Sequence, residues 1–285
     1  MRCKPEQAEI VLAELTVLAP NGVEEERGPG YVEYAIYGGE GEVPELGEIE
    51  AVAGDGLVEV VATRVPDDWA DRWQDFHRPI LVGGRLWIGP SWEQSERRAS
   101  EASQSDSSRA SEVRGNVLDV VVDPGRAFGT GAHATTRLCL ELLLRLAEEG
   151  VASGPLTDLG TGSGVLAIAA AKLGWGPVRG YDHEPAALEA AAANAEANGV
   201  EAAFEAADLR HGPPPLAPTT VANLTAPVLL AVASHLDAGH APEVLVCSGL
   251  LPSELDGVAA AFAGAGLRED ERRRDGDWAA LLLRS

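Results

Sequence analysis

The chain has 285 residues, 45% of them hydrophobic, and a formal net charge of −23 at pH 7. This length and apolar content fit two compact domains with hydrophobic cores. The negative charge argues against a sequence-independent grip on nucleic acid, which relies on Lys and Arg, and it is compatible with a basic protein partner.

No apolar run approaches the roughly 18 residues that cross a bilayer, and the N-terminal residues lack the apolar core of a signal peptide. The three cysteines, Cys3, Cys139 and Cys247, are scattered and show neither a disulfide framework nor a metal-ligand spacing. We therefore expect a monomeric cytoplasmic protein without a metal site and without direct contact to a membrane or to nucleic acid.

Residues 1–92 predict a small α+β domain. Apolar residues at helical spacing predict helices, and β-branched or alternating runs predict strands. The helices cover residues 6–19 and 44–53, and the strands cover residues 23–26, 31–37, 57–65 and two short stretches within 80–92. Trp69, Trp73 and Phe76 also lie at helical spacing. They either seal a helix against the sheet or form a face toward a hinge or a partner.

Residues 93–115 predict a flexible linker. They are rich in Ser, Glu and Arg and poor in apolar residues, so they cannot bury enough surface to offset the entropy of ordering them. From residue 116 onward, predicted strands and helices alternate, which indicates a second domain of the α/β class over residues 116–285.

The most informative stretch, residues 156–182, reads LTDLGTGSGVLAIAAAKLGWGPVRGYD. A short strand leads into alternating glycines that begin with Gly160 and Gly162. A small-residue helix follows over residues 165–173, and a second strand ends at Asp182. This is the pattern of a nucleoside-binding βαβ unit. The glycines let backbone N–H groups approach a ligand closely, and a carboxylate at the strand end accepts hydrogen bonds from a ribose diol.

The glycine spacing decides which nucleoside is expected. Dinucleotide-binding folds usually read G-x-G-x-x-G and aim a helix N-terminus at a pyrophosphate. Here the spacing is G-x-G-x-G behind an acid, Asp158, with no lysine for phosphates. The pattern resembles class I S-adenosylmethionine-dependent methyltransferases, whose ligand carries an amino-acid tail and a sulfonium instead of phosphates. A glycine-rich turn that binds no ligand is the alternative.

A second glycine-rich stretch, residues 123–136, reads DPGRAFGTGAHATT and precedes a predicted helix. Phe128 in this loop is suited to covering an adenine or a sulfonium. Thr135 and Thr136 occupy positions typical of helix N-caps. His133 is either a base or, in the interpretation that we favour, a residue that fixes the loop by hydrogen bonding.

Two later strands end on polar residues, at the edge of the sheet where ligands gather in doubly wound folds. Asp208 is either a contact to an adenine amino group or a surface acid. Asn223 offers both a donor and an acceptor. A helix is predicted over residues 184–198. The last two strands form a hairpin around residues 272–276, which makes a sheet of seven strands with one antiparallel strand inserted.

Five motifs together resemble the PrmA-type ribosomal protein L11 methyltransferases. They are DPGRAFGTGAHATT, DLGTGSGVLAIAA, GYD, VANLTA and GDWAAL, collinear from about Asp123 to the end of the chain. The resemblance implies an α/β fold, a seven-stranded Rossmann-like class I methyltransferase domain preceded by a small α+β domain that grips the substrate. It also implies methyl transfer from S-adenosylmethionine to lysine or N-terminal amino groups of ribosomal protein L11.

The resemblance also implies a set of cofactor-binding residues at the matching motifs. These are Thr136, Gly160, Asp182 and Asn223, with Phe128 and Gly162 close by. Asn223 is the candidate catalytic residue, since its amide is placed to orient the lone pair of an amine, and no general base is assigned. Two features depart from the family: Thr161 stands where Cys or a small residue is common, and the linker is longer than usual.

Other functions stay open at this point. A class I methyltransferase acting on a small molecule or on another protein is the first, although the separate N-terminal domain favours a protein substrate. A non-catalytic binding subunit is the second, and the intact Gly160, Asp182 and Asn223 weigh against it. A dinucleotide oxidoreductase is the third, and the glycine spacing weighs against it. The absence of an N-P-P-aromatic motif after strand four argues against the adenine and glutamine amide methylases.

Overall fold

A computed structural model of the chain describes residues 2–4, 24–28, 31–35, 57–59, 79–95, 97, 117–123 and 133–285. The chain divides into two compact units, Met1–Ala70 and Asp71–Ser285. Several predicted features lie outside the described residues: the two N-terminal helices, the aromatic segment at 69–76, Phe128, and most of the linker.

The first unit contains a four-stranded antiparallel sheet in the order β2-β3-β1-β4. Its strands are β1 (Arg2–Cys3), β2 (Glu24–Gly28), β3 (Tyr31–Ala35) and β4 (Leu57–Glu59). Val32 and Tyr34 on β3 are buried while Tyr31 and Glu33, which alternate with them, are partly exposed, as the alternation of a half-buried strand requires. The strands predicted near these positions are confirmed.

The second unit begins with a small three-stranded sheet in the order β5-β6-β7. β5 (Ile80–Val82) and β6 (Leu86–Gly89) form the predicted antiparallel pair, and β7 (Leu118–Val121) runs parallel to β6. The Asn198 side chain joins this sheet to the rest of the unit, because it accepts from the Val121 N–H (2.9 Å) and donates to the Val121 carbonyl (2.6 Å). Residues 80–92 were expected in the first domain; the domain boundary itself stays a prediction.

The start of the predicted linker is ordered against β7. Residues 91–95 are helical, and two side chains of this segment meet Asp119 on β7. Gln94 Nε2 donates to Asp119 Oδ2 at 3.1 Å, and Arg97 Nη1 pairs with Asp119 Oδ1 at 2.8 Å. The Asp119 carboxylate therefore holds Gln94 and Arg97 beside β7.

The main sheet has seven strands in the order β10-β9-β8-β11-β12-β14-β13. The five strands from β10 to β12 are parallel to one another, and β14 is antiparallel to both of its neighbours. The strands are β8 (Leu156–Leu159), β9 (Val178–Asp182), β10 (Ala202–Ala206), β11 (Thr219–Asn223), β12 (Val244–Leu250), β13 (Arg268–Asp275) and β14 (Trp278–Arg284). The predicted seven-stranded sheet with a terminal hairpin is confirmed.

Helices cover both faces of this sheet and make the three-layer arrangement of doubly wound folds. They are α1 (Ala134–Glu148), α2 (Val165–Leu173), α3 (Pro185–Ala197), α4 (Ala226–Ser234) and α5 (Leu255–Ala263). One core cluster contains buried residues of α1, α2 and α3, and the other contains those of α4 and α5. α2 has the predicted bounds because its run of small apolar residues is buried over six consecutive positions. No helix within the described residues is long and apolar enough to cross a membrane.

The terminal hairpin corrects one prediction. β13 continues to Asp275, which pairs with Trp278, so the turn consists of Gly276 and Asp277 and not of residues 272–276. Within this extended strand, carboxylates pair with Arg272 and Arg273. Arg272, for example, donates to Glu269 through two nitrogens, at 2.6 Å each.

An ion-pair network joins α1 to this hairpin. Arg145 on α1 contacts Glu149 (2.7 Å), Asp270 (3.1 Å) and Glu271. Arg284 contacts two of the same carboxylates. Isolated surface pairs contribute little because water and ions screen them, but a guanidinium shared among three carboxylates is already oriented for each of them.

We expect Arg145→Met to lower the free energy of unfolding by about 1 kcal/mol at low salt and by less in 1 M NaCl, since salt screens partly exposed charges. Urea denaturation followed by circular dichroism measures both values. Arg179→Met is the matched control, because Arg179 makes a single exposed pair with Glu205; we expect a loss of less than about 0.5 kcal/mol. A loss at Arg145 that is independent of salt would assign the effect to packing of its stem.

Candidate active site

The strand order places a crevice at the carboxyl ends of β8 and β11. The chain moves from β8 outward to β10 and then returns to β11 on the other side of β8, and such a switch point is where open α/β sheets bind ligands. A cavity of about 330 Å³ lies there, within the size range of small-molecule pockets. It is lined by Thr136, Gly160, Thr161, Gly162, Val165, Leu166, Asp182, His183, Glu184, Ala187, Ala207, Asp208, Leu209, Arg210, Asn223, Leu224 and Val228.

The glycine turn after β8 is held by the end of β9. The carbonyl of Tyr181 accepts from the N–H groups of Gly160 (2.8 Å) and Thr161 (2.9 Å). Asp182 Oδ2 accepts from the Gly162 N–H at 3.0 Å, and Asp182 Oδ1 accepts from the Glu184 N–H at 3.1 Å. The turn and the carboxylate therefore form one hydrogen-bonded unit at the floor of the cavity.

Asp182 keeps capacity for a ligand. Only 11% of its side chain is exposed, and His183 Nδ1 lies 3.3 Å from Oδ1. Each carboxylate oxygen also uses one of its two acceptor positions on a backbone N–H, so the second position of Oδ2 is the one left for a ligand beside the shared Oδ1. Because the residue lines the cavity, these two oxygens suit a pair of adjacent hydroxyl groups.

Helix α3 supports the turn from behind. Asn194, which is buried, donates from Nδ2 to the Ser163 carbonyl at 2.8 Å. Ala191 on the same helix is fully buried, so α3 packs closely against this side of the turn. Sequence reasoning did not single out Asn194, because its partner Ser163 lies 31 residues away along the chain.

Asp158 lies beneath the turn as a buried carboxyl group. Its Oδ2 accepts from the Thr161 hydroxyl at 2.7 Å, while Oδ1 is buried and has no hydrogen-bond partner among the described residues. Burial raises the pKa of Asp158 to about 7, against the opposing effect of the Thr161 hydrogen bond. Thr161 thus has a specific partner here, which explains how its hydroxyl is accommodated in a buried position.

The β11 side of the cavity carries Asn223 and Thr136. Asn223 Nδ2 donates to Thr136 Oγ1 at 3.3 Å, and Thr136 is buried in the first turn of α1. This bond fixes the amide plane and leaves Oδ1 as the atom that can accept from a substrate.

The start of α1 corrects the predicted N-cap. The cap residue is His133, in an extended conformation, and not Thr135 or Thr136. Its Nδ1 lies 2.8 Å from Thr135 Oγ1 and accepts from the Thr135 N–H at 3.4 Å. Burial and the charge of Arg137 lower the pKa of His133, which favours the neutral ring that can accept these bonds. The ring also packs edge-on against Trp278 at 5.0 Å between centroids.

Asp208, at the end of β10, is engaged by a neighbour. It accepts from the backbone N–H of Arg210 (3.0 Å) and from its Nε and Nη2 (2.8 Å each). The guanidinium holds the pKa of this carboxyl well below its ordinary value. Asp208 lines the cavity. If its carboxylate accepted a hydrogen bond from an adenine amino group, it would do so while still bonded to Arg210.

The structure brings five of the six candidate cofactor residues to this one cavity: Thr136, Gly160, Gly162, Asp182 and Asn223. The sixth, Phe128, lies outside the described residues. That these residues bind the cofactor stays a prediction. Sequence reasoning missed Leu224, Glu184 and Arg210 in the lining. Leu224 lies within the VANLTA motif but was not singled out, and Glu184 and Arg210 follow strand ends without a motif.

The charges of the cavity suit a nucleoside without phosphates. Asp182, Glu184 and Asp208 line it, and among its described lining residues only Arg210 and His183 are basic. Arg210 is already paired with Asp208, so a pyrophosphate has little to bind. A nucleoside that carries a positive charge and a free ribose diol would interact favourably with these carboxylates. The seven-stranded sheet and this cavity define a class I methyltransferase.

Comparisons with known proteins agree. The family model described as "Ribosomal protein L11 methyltransferase (PrmA)" matches residues 45–285. The ribosomal protein L11 methyltransferase of Pelotomaculum thermopropionicum is 39% identical over 245 residues, which cover 84% of this chain and 73% of that protein. The one from Dechloromonas aromatica is 40% identical over 219 residues, covering 75% and 67%.

A solved structure is similar as well. The ribosomal protein L11 methylase from Lactobacillus delbrueckii subsp. bulgaricus is 28% identical, with a TM-score of 0.55, over 73% of this chain and 98% of that one. The chain belongs to the ribosomal protein L11 methyltransferase family. It is an S-adenosylmethionine-dependent methyltransferase that acts on a protein.

We expect Asp182→Asn to weaken binding of S-adenosylmethionine by about 1.5–3 kcal/mol, because the side chain loses its charge and one acceptor oxygen, which weakens both the expected bonds to the ribose and the bond from the Gly162 N–H. This corresponds to a rise in Kd of about 10- to 100-fold, measured by calorimetry. Glu184→Gln is the control: it removes a neighbouring charge, but Glu184 bonds to Asp182 through its backbone N–H. Equal losses in both variants would contradict a specific role for Asp182.

We expect the pKa of Asp158 to appear in the pH dependence of stability. Its folded pKa of about 7 exceeds the unfolded value of about 3.9. The folded state therefore binds the proton more tightly, and the contribution of Asp158 to stability is lost as the pH rises from about 4 to 7. Relative to wild type, Asp158→Asn should gain stability across this window, by up to about 1.4 kcal/mol per pKa unit. Urea denaturation at a series of pH values tests this; a difference independent of pH would contradict it.

Proposed function

We propose that this chain transfers methyl groups from S-adenosylmethionine to lysine or N-terminal amino groups of ribosomal protein L11. The observation that carries the proposal is the single cavity in which the glycine turn, Asp182 and Asn223 meet at the sheet's switch point. The relatives named for this activity support the substrate. We further propose that the chain acts as a monomer in the cytoplasm, where its substrate is made.

The proposed roles divide the cavity into two sides. Asp182 would hold the ribose diol, and Gly160 and Gly162 would bring backbone groups close to the cofactor. Thr136 would fix Asn223, and Phe128 would cover the cofactor. On the other side, Asn223 Oδ1 would accept from the substrate amine and so direct its lone pair.

S-adenosylmethionine supplies a methyl group that is already activated by a sulfonium. The residues of the chain therefore contribute mainly position and desolvation. The amine must be neutral to react, although its ordinary pKa is near 10.4. Removal from water lowers an amine pKa, and the Asn223 amide accepts from the neutral amine without adding a negative charge that would favour the ammonium form. No residue is assigned as a general base.

The first unit, Met1–Ala70, is proposed to recognise ribosomal protein L11. Its sequence is strongly acidic, and the whole chain carries a net charge of −23. Such charge favours encounter with a basic protein and disfavours contact with ribosomal RNA.

We expect label from tritiated S-adenosylmethionine to enter purified L11 with the 285-residue chain and not with a form that starts at Asp71, the boundary of the second unit. Mass spectrometry of peptides then locates the methyl groups on lysine or N-terminal amines. L11 whose amines have been chemically blocked is the control substrate. Intact cofactor binding without any label on L11 would instead favour a methyltransferase for another protein or a small molecule.

A further inference from the structure

Leu224, the residue after Asn223, lies between two glycines. On one side its side chain covers Gly160 of the glycine turn: a Cβ added to Gly160 would lie 2.4 Å from Leu224 Cδ2. On the other side its backbone lies against Gly249 of β12: a Cβ there would lie 2.5 Å from the Leu224 carbonyl oxygen and 2.8 Å from its carbonyl carbon. Both glycines have positive φ, +70° and +85°, so larger residues are excluded by strain as well as by space.

Gly249 belongs to a β-bulge. The pairing of β12 with β14 passes from Cys247 opposite Leu281 to Leu250 opposite Ala279, so β12 carries one extra residue. Ser248 holds the bulge, since its hydroxyl donates to the Ala279 carbonyl at 3.1 Å and its own carbonyl accepts from the Leu224 N–H at 3.0 Å. Bulges of this kind often lie beside active sites, where they re-aim neighbouring groups.

The contacts thus link the two sides of the cavity through one residue. Gly160 and Asn223 both line the cavity, and in the proposed function Gly160 is on the cofactor side and the peptide between Asn223 and Leu224 is on the substrate side. The N–H of that peptide is fixed by Ser248, and the Leu224 carbonyl faces the space that the missing side chain of Gly249 leaves open. A shift of Leu224 in either direction would change the distance between the glycine turn and the Asn223 amide.

We propose that Leu224 and Gly249 are positioning residues for methyl transfer, a role that rests on the proposed function. Because Gly249 has no side chain, the Leu224 backbone can pack directly against β12. The Leu224 side chain packs against Gly160 and so sets the distance between this backbone and the glycine turn. Together they set the alignment of the acceptor amine with the cofactor. Neither residue needs to bind the cofactor strongly for this purpose.

The test measures the turnover number on L11 and, separately, the Kd for S-adenosylmethionine by calorimetry. We expect Gly249→Ala to lower kcat about 10- to 100-fold, the cost of a misplacement near 1 Å, while Kd stays close to the wild-type value. Gly150→Ala is the matched control, since Gly150 has a similar φ of +82° and no atom within 4 Å of an added Cβ. We expect it to leave both quantities unchanged.

Leu224→Ala tests the same positioning role without introducing a clash. If Gly249→Ala does not fold, the result with Leu224→Ala decides whether the role holds. We expect it to lower kcat with little change in Kd, and we expect Leu224→Met, which can still reach Gly160, to restore most of the rate. Wild-type turnover in the folded variants, or a loss of kcat matched by an equal loss of cofactor affinity, would overturn the positioning role. A wild-type chain that binds the cofactor but does not label L11 would overturn the proposed function instead.

Discussion

The candidate site depends on the hydrogen bonds between the end of β9 and the glycine turn that follows β8. Two N–H groups of the turn converge on the Tyr181 carbonyl, and a third reaches the Asp182 carboxylate. A glycine-rich segment has high conformational entropy when free, so these bonds give it one shape. Asp182 therefore both shapes the turn and faces the cavity.

The support of the turn continues inward to Asp158 and to α3. Thr161 bonds to a carboxyl group that lies fully inside the protein, and Asn194 reaches the turn from the opposite side. A buried carboxyl group with one unpartnered oxygen is costly unless it is protonated. Such a cost is often found close to functional sites, and here it lies directly beneath the loop that lines the cavity.

Local sequence patterns predicted what depends on neighbours along the chain. The small-residue run of α2, the glycine turn and the acid at the end of β9 follow from periodicity and spacing. The bulge at Gly249 was not predicted, because it arises from the register between β12 and β14, whose partners are some thirty residues apart. Asn194 was missed for the same reason, since its partner Ser163 lies 31 residues away along the chain. The N-cap at His133 rests on a local bond to Thr135, and it was missed because Ser, Thr, Asp and Asn are the residues expected at a cap. The strand character of Arg272–Asp275 depends on its pairing with β14 across the turn.

The charges of the cavity are divided in a way that suits amine methylation. Its carboxylates, Asp182, Glu184 and Asp208, follow β9 and β10, whereas the described lining that follows β11 consists of Asn223, Leu224 and Val228. A cationic cofactor is stabilised beside carboxylates, but an acceptor amine beside them would keep its proton, since an anionic neighbour raises an amine pKa. Placing the amine next to a neutral amide avoids that effect. For methylation of an amine, the distance between the carboxylate side and the Asn223 side of the cavity is then as important as the residues on either side. Leu224, which follows Asn223 and packs against Gly160, lies between these two sides.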